Sequence, residues 1–441
     1  MPTLPIVGFS ILIALVVINA VNSRLHVGIV AILSALVLGS FARFFQENDV
    51  FSLFPASLFI TLISVTLLFS MAQENGTTDK ISEALVRLWR GKIHFVPPFV
   101  FLSAALISAL GAGNIASVSM LAPPAMSLAG RIGMNPFLMT ILVVGGANSA
   151  ALSPFTITGV VANKILGQLP QGMVLTSAST SFQIFLVVFA VQSLLFILSF
   201  LILGGLRWYG SVGRQAVRRT PVRRDPFSTK QKITLFLILL FGFVLILANL
   251  GFFKGRGFFQ EVVALLGQTG IVSLLMVSVM MILRLADTDK AIARLPWSTF
   301  LLVCGTYLLI SVIEKTGGME LATRGLKAVS NDQFVLFWIS IFSGTLSAFS
   351  SSIGVVMPLF LPMVPSLGEI MHTQSHFSLV ATILISAHIV DGSPLSSLGA
   401  LCLAFAHLKG EGDRLRLFRR LLFWSLAMIP LTAFVCQALW N

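Results

Sequence analysis

The sequence predicts an all-α integral membrane protein with about ten transmembrane helices, two opposed re-entrant hairpins and two unwound transmembrane helices, built as an inverted-topology repeat. Three observations carry this. The 441 residues are 56% hydrophobic and only 10% charged, with a mean hydropathy of +0.95, far from the mix of a soluble domain. Apolar runs of about 20 residues, enough to cross ~30 Å of hydrocarbon, recur from one end to the other. The order of parts along the first half is then repeated in the second.

Single spans fit residues 4–21, 26–45, 53–71, 137–166 and 182–206. The first reads as a retained helix rather than a signal peptide, because residues 1–9 carry no Lys or Arg and no convincing cleavage site follows. Between the third and fourth spans, the stretch 95–130 is apolar but broken by Gly111, Gly113, Pro123 and Pro124, which suits a hairpin better than a straight helix. A basic stretch at 207–232 leads to five more spans at 233–252, 262–283, 300–313, 377–406 and 421–439. Again a broken apolar segment, 334–368, lies between the third and fourth, interrupted by Gly344, the Ser350, Ser351, Ser352 run, Gly354, Pro358 and Pro362. The expected organisation is a first repeat at 1–206, a linker at 207–232 and a second repeat at 233–441.

An odd number of spans per half sends the second copy into the membrane from the opposite side. Arg24 follows the first span and favours an outside N-terminus; the C-terminus then also lies outside and the linker 207–232 in the cytoplasm. This orientation puts about 22 of the 29 basic residues inside. Polar amphipathic stretches before each hairpin, 79–90 and 319–329, read as interfacial helices on opposite faces, so hairpin one dips in from the cytoplasm and hairpin two from outside. The formal net charge of +13 therefore reads as topology control, with the lipid bilayer as partner and no nucleic acid.

Four stretches depart from plain lipid-facing helix: residues 111–125 and 350–362 in the hairpins, 145–159 and 388–399 in the spans that follow. Ser153, Pro154 and Gly159 match Ser393, Pro394 and Gly399 at one common separation. Each proline removes a backbone donor and clashes with the preceding turn, while flanking glycines let the helix unwind. Freed amides and carbonyls cannot face hydrocarbon, so they must face protein, ions, substrate or water. Helix N-termini then suit an anion, and carbonyls with Ser, Thr and Asn oxygens suit sodium. Packing by small residues is the competing reading.

Asp391 is the only acidic residue deep inside an apolar run and needs a cation, a proton or a donor set. His388, three residues earlier, is either a structural histidine or a proton relay. Cys304, Cys402 and Cys436 lie in apolar segments without metal-ligand spacing. Nucleophile elbows, Walker loops and zinc patterns are absent, so neither an enzyme nor a cofactor is expected, beyond a sodium ion or proton as coupling ion.

These residues resemble the ion transporter superfamily, in particular the divalent anion/sodium symporters and the bacterial malonate carrier and dicarboxylate permease branch, through the two hairpins and the segments 153–159 and 391–399. The resemblance implies a homodimer in the cell inner membrane that moves a small organic anion, malonate-like or a four-carbon dicarboxylate, with a coupling cation. Carried over by position, Asn114, Ser117, Asn148, Ser149 and Thr156 would form one half of the substrate site and Ser351, Ser352, Ser393 and Ser396 the other. Asp391, Asn114 and Ser352 would serve possible sodium sites. The family's Ser-Asn-Thr triplets at the hairpin tips survive only in part, as Gly113, Asn114, Ile115 and Ser351, Ser352, Ile353. A sodium/proton antiporter, an arsenite-type efflux carrier and the membrane subunit of a binding-protein-dependent uptake system share the expected fold.

Overall fold

The computed structural model describes residues 3–21, 26–41, 47–81, 93–169, 178–211, 226–249, 262, 265–266, 268–318, 321, 324–325, 334–370, 376–406, 408 and 410–440. Arg24, most of the stretches 79–90 and 319–329, and residues 212–225 of the linker lie outside them. Every described element is helical, as an apolar backbone that must satisfy its own hydrogen bonds requires.

The first half opens with α1 (Thr3–Val21), α2 (Val27–Phe41), the short α3 (Glu47–Ser52) and α4 (Ala56–Glu74). After a first hairpin come α7 (Pro136–Ser149), α8 (Ile157–Leu166), α9 (Ala178–Phe200) and α10 (Leu206–Ser211), with the hairpin arms as α5 (Val96–Ile107) and α6 (Gly113–Arg131). The second half has α11 (Thr229–Asn249), α12 (Thr269–Ile282), the short α13 (Thr288–Ala293) and α14 (Trp297–Lys315). Its hairpin consists of α15 (Val335–Phe349) and a return arm through α16 (Met357–Phe360) and α17 (Val364–Ile370). Then follow α18 (Phe377–Ile389), α19 (Ser397–Phe405) and α20 (Glu411–Trp440).

Corresponding pieces of the halves match closely. α4 and α14 are both 19 residues long and begin at prolines of nearly identical conformation, Pro55 (φ −78, ψ 64) and Pro296 (φ −77, ψ 66). Pro55 also makes α4 start at Ala56 rather than at residue 53. Both helices end at a left-handed glycine, Gly76 and Gly317. The halves interlock through backbone contact: a Cβ on Gly28 of α2 would sit 2.2 Å from the Leu301 carbonyl oxygen of α14, and one on Gly305 would sit 2.2 Å from that of Gly28. In the reciprocal contact α12 lies on α4, with Gly270 against Thr61. Small residues at such crossings let helices approach where lipid offers no hydrophobic drive.

Residues 93–131 form an apolar helical stretch of 39 residues, yet they do not cross once. Ser117 Oγ donates to the Ala104 carbonyl at 2.8 Å across 13 residues, which a continuous helix would hold ~20 Å apart. The chain reverses in a wide turn at Ser108–Ala112, where Gly111 takes φ +110. Both ends return to α10: the His94 ring lies parallel to Tyr209, and Trp208 Nε1 donates to the Ile132 carbonyl at 3.3 Å. The second hairpin behaves alike at the end of α20, where Phe337 N donates to Gln437 Oε1 at 2.9 Å and the Phe377 ring meets Trp440. α20 begins ten residues before the apolar run that predicts it, because its charged first turns end the hydropathy but not the helix.

Candidate functional site

The site starts from two broken spans. α7 stops at Ser149 and α8 resumes at Ile157; α18 stops at Ile389, passes through a tight turn at Val390–Gly392, and α19 resumes at Ser397. The breaks share one geometry. Thr156 N and Ser396 N each donate to the carbonyl three residues earlier, of Ser153 and Ser393, at 3.0 Å. A Cβ on Gly159 or on Gly399 would lie 2.1 Å from that same carbonyl oxygen, so only glycine fits. The two breaks meet where Asn148 Nδ2 donates to the His388 carbonyl and, at 3.2 Å, to Asp391 Oδ2.

Asp391 is 8% exposed. Its second partner comes from the tip of hairpin two, Ser352 Oγ at 3.1 Å from Oδ1. Ser352 Oγ also lies 2.8 Å from Ser347 Oγ and 3.0 Å from the Ala387 carbonyl, to which Ser347 Oγ donates at 2.5 Å, so the single Ser352 proton is shared between these oxygens and the carboxylate. From the other side, Asn114 at the tip of hairpin one donates through Nδ2 to Asn148 Oδ1 at 2.7 Å, while its own Oδ1 accepts from Ile115 N at 2.9 Å. A continuous chain thus runs Asn114, Asn148, Asp391, Ser352, Ser347, joining both hairpin tips through both unwound spans. Among the described residues Asp391 has no Lys, Arg or His partner.

Asp391 Oδ1, Ser352 Oγ and the Ala387 carbonyl converge as oxygen donors of the kind a hard cation takes. Asn114 reaches the carboxylate only through Asn148. No cluster of three or more His, Cys, Asp or Glu capable of holding a metal occurs among the described residues.

The other expected site residues hold the frame. Ser117 ties the arms of hairpin one, and Ser149 Oγ bonds back to the Gly145 carbonyl at 2.7 Å. Thr156 caps α8 by accepting from Gly159 N at 3.0 Å, and Ser351 caps the return arm by accepting from Gly354 N at 3.0 Å. Ser393 Oγ accepts from Leu395 N at 3.2 Å. Ser396 stands half-buried at the start of α19 without a capping bond. His388 does not touch Asp391: its Nδ1 turns back to the Leu384 carbonyl at 2.8 Å. Ser347 was missed from the sequence; its signal is the stripe Ser340, Ser343, Ser347 at helical spacing, which turns one polar face of α15 towards α18.

Fold and site define a polytopic helical membrane protein organised around one buried carboxylate between two hairpin tips. Its residues 2–151, which include hairpin one, Asn114 and Asn148, match the family model described as the dicarboxylate carrier protein MatC N-terminus. Among solved structures, the chain is similar to the crystal structure of the Alcanivorax borkumensis YdaH transporter, with 15% identity and a TM-score of 0.49, over 88% of this chain and 86% of that one. No curated protein matches.

Proposed function

We propose that this chain is a secondary transporter, not an enzyme, that moves a small organic anion, malonate-like or a four-carbon dicarboxylate, together with a sodium ion or proton. The observation that carries the reading is the buried chain from Asn114 to Ser347, centred on a carboxylate with no cationic side chain beside it among the described residues. The dicarboxylate carrier match over residues 2–151 supports the substrate class.

The chemistry is one of charge. A cation within ~4 Å of Asp391 gains about 4 kcal/mol at an effective dielectric of ~20. A neutralised Asp391 no longer repels an anion held at the hairpin tips, so each ligand lowers the other's cost of occupying a dry site. Both tips enter the membrane from opposite faces in this reading, and the site is presented to each side in turn, in a homodimer within a bacterial inner membrane.

The test is uptake of radiolabelled malonate and succinate by proteoliposomes of the purified chain under an imposed sodium or proton gradient, for wild type and Asp391→Asn. Gradient-driven uptake that falls to background in the variant is the expected result. Asp391-dependent sodium/proton exchange without organic-anion uptake would replace symport with antiport.

A further inference from the structure

A cavity of about 270 Å³ lies between the tip of hairpin one, the second half of α4 and the connection from α13 to α14. It is smaller than the ~300–1,000 Å³ sites of drug-sized ligands and suits a molecule of a few carbon atoms. Its wall includes Asn114, so it abuts the Asp391 chain. Among the described residues, Arg294 is the single charged side chain in the wall, exposed at the rim, and has no carboxylate partner.

Two further groups in this wall stand out. Thr78 and Thr158 are 7% and 1% exposed, and the hydroxyl of each has no hydrogen-bond partner. Three other hydroxyls of the wall are satisfied within the protein: Thr66 donates to the Leu62 carbonyl at 2.5 Å, Ser70 to that of Ala291 at 2.6 Å and Ser119 to that of Ile115 at 2.7 Å. A buried hydroxyl without a partner costs roughly 1–3 kcal/mol unless something enters to accept its proton. Thr158 lies in the first turn of α8, and residues 113–116 form the first turn of α6, so two helix N-termini also border the space. A guanidinium, two donors without acceptors and two positive helix ends, with no carboxylate among the described residues of the wall, select one kind of occupant.

We propose that this cavity is a vestibule for a small carboxylate on the path between the hairpin tips and the cytoplasm, in which Arg294 draws the anion to the rim and Thr78 and Thr158 hold it. This rests on the transport reading and adds a capture point outside the Asp391 chain. The notable feature is that the cation sits at the rim, where it attracts an anion without trapping it.

Two measurements on the full chain decide the matter. In malonate transport assayed from the cytoplasmic face with inside-out vesicles, Arg294→Gln raises the half-saturating concentration about tenfold, equivalent to ~1.4 kcal/mol, while Arg294→Lys holds the rise to about threefold. The second needs no transport. Cys304, Cys402 and Cys436 are buried; with all three replaced by alanine and Ile115→Cys introduced, at a wall position that is 43% exposed, the detergent-solubilised protein is labelled with a negatively and a positively charged methanethiosulfonate. After normalisation to a free thiol, the anionic reagent reacts several-fold faster, and Arg294→Gln abolishes that preference. Wild-type uptake with neither quantity responding to Arg294 overturns the vestibule and leaves the transport reading standing. No uptake by wild type sinks the transport reading, and the labelling ratio then judges the vestibule by itself: a ratio at or below one, or one indifferent to Arg294, overturns it.

Discussion

Asn148 is the residue on which the centre turns, because one side chain serves Asn114, the His388 carbonyl and Asp391 at once. Replacing it with leucine leaves the carboxylate short of a donor and Asn114 short of an acceptor, each with a penalty of roughly 1–3 kcal/mol. Thermal unfolding in detergent should show that loss. Asp391→Asn keeps the shape and one acceptor, so it should unfold near the wild-type temperature while abolishing coupled uptake. A contrasting carboxylate lies at the surface. Asp287 caps α13, accepting from Lys290 N at 3.2 Å and pairing with the Lys290 ammonium. The bond from the Lys290 amide, above all, holds its pKa below the ordinary value of 3.8. A lowered folded value means the contribution is fully present above the ordinary value and is lost as pH falls through the folded one. The melting-temperature gap between wild type and Asp287→Ala should therefore be constant from about pH 7 to about pH 5 and close below ~pH 4. A gap that widens on acidification would contradict this.

At the scale of elements, the breaks are built by sterics that the sequence displays openly. Gly159 and Gly399 sit where a methyl group would strike a carbonyl oxygen at 2.1 Å, and backbone, unlike a side-chain tip, cannot swing aside. Gly399→Ala should cost more than ~2 kcal/mol and collapse the Ser393 turn, read as a lowered melting temperature and lost uptake. Gly111→Ala should be as damaging for two reasons: φ is +110, and the new carbon would meet the Phe69 ring at 2.1 Å. The hairpins and unwound spans were legible because Gly, Pro and Ser interrupt otherwise uniform apolar runs. What each hydroxyl does was not. Ser117, Thr156 and Ser352 are the same kind of residue in the same kind of segment, yet one straps two arms, one caps a helix and one reaches Asp391. Periodicity fixes the face a side chain occupies, not whether its nearest acceptor is a local carbonyl or a distant carboxylate. Ser347 and Thr158 escaped for the same reason, and Arg294 because it belongs to a surface connection whose neighbours are set by tertiary packing.

For the whole molecule, the proposed inverted repeat makes a parity prediction, that the two hairpins open to opposite faces. The ends of hairpin one lie against α10 and those of hairpin two against the end of α20. If the α7/α8 span, α9, α11, α12 and α14 each cross once between them, an odd number, the ends of the two hairpins face different compartments. Two positions report this cleanly. Gly130 is exposed near the end of α6 with open space where a Cβ would go, and Phe334, at the start of hairpin two, is 46% exposed. In a background lacking the three native cysteines, Gly130→Cys and Phe334→Cys are each challenged with an impermeant maleimide in intact cells and in inside-out vesicles. Phe334→Cys should label from outside and Gly130→Cys only from the cytoplasmic side. Labelling of both from one side would mean that the chain crosses an even number of times between the hairpins. The second half would then be a parallel copy, and the alternating presentation of Asp391 to opposite compartments would lose its structural basis.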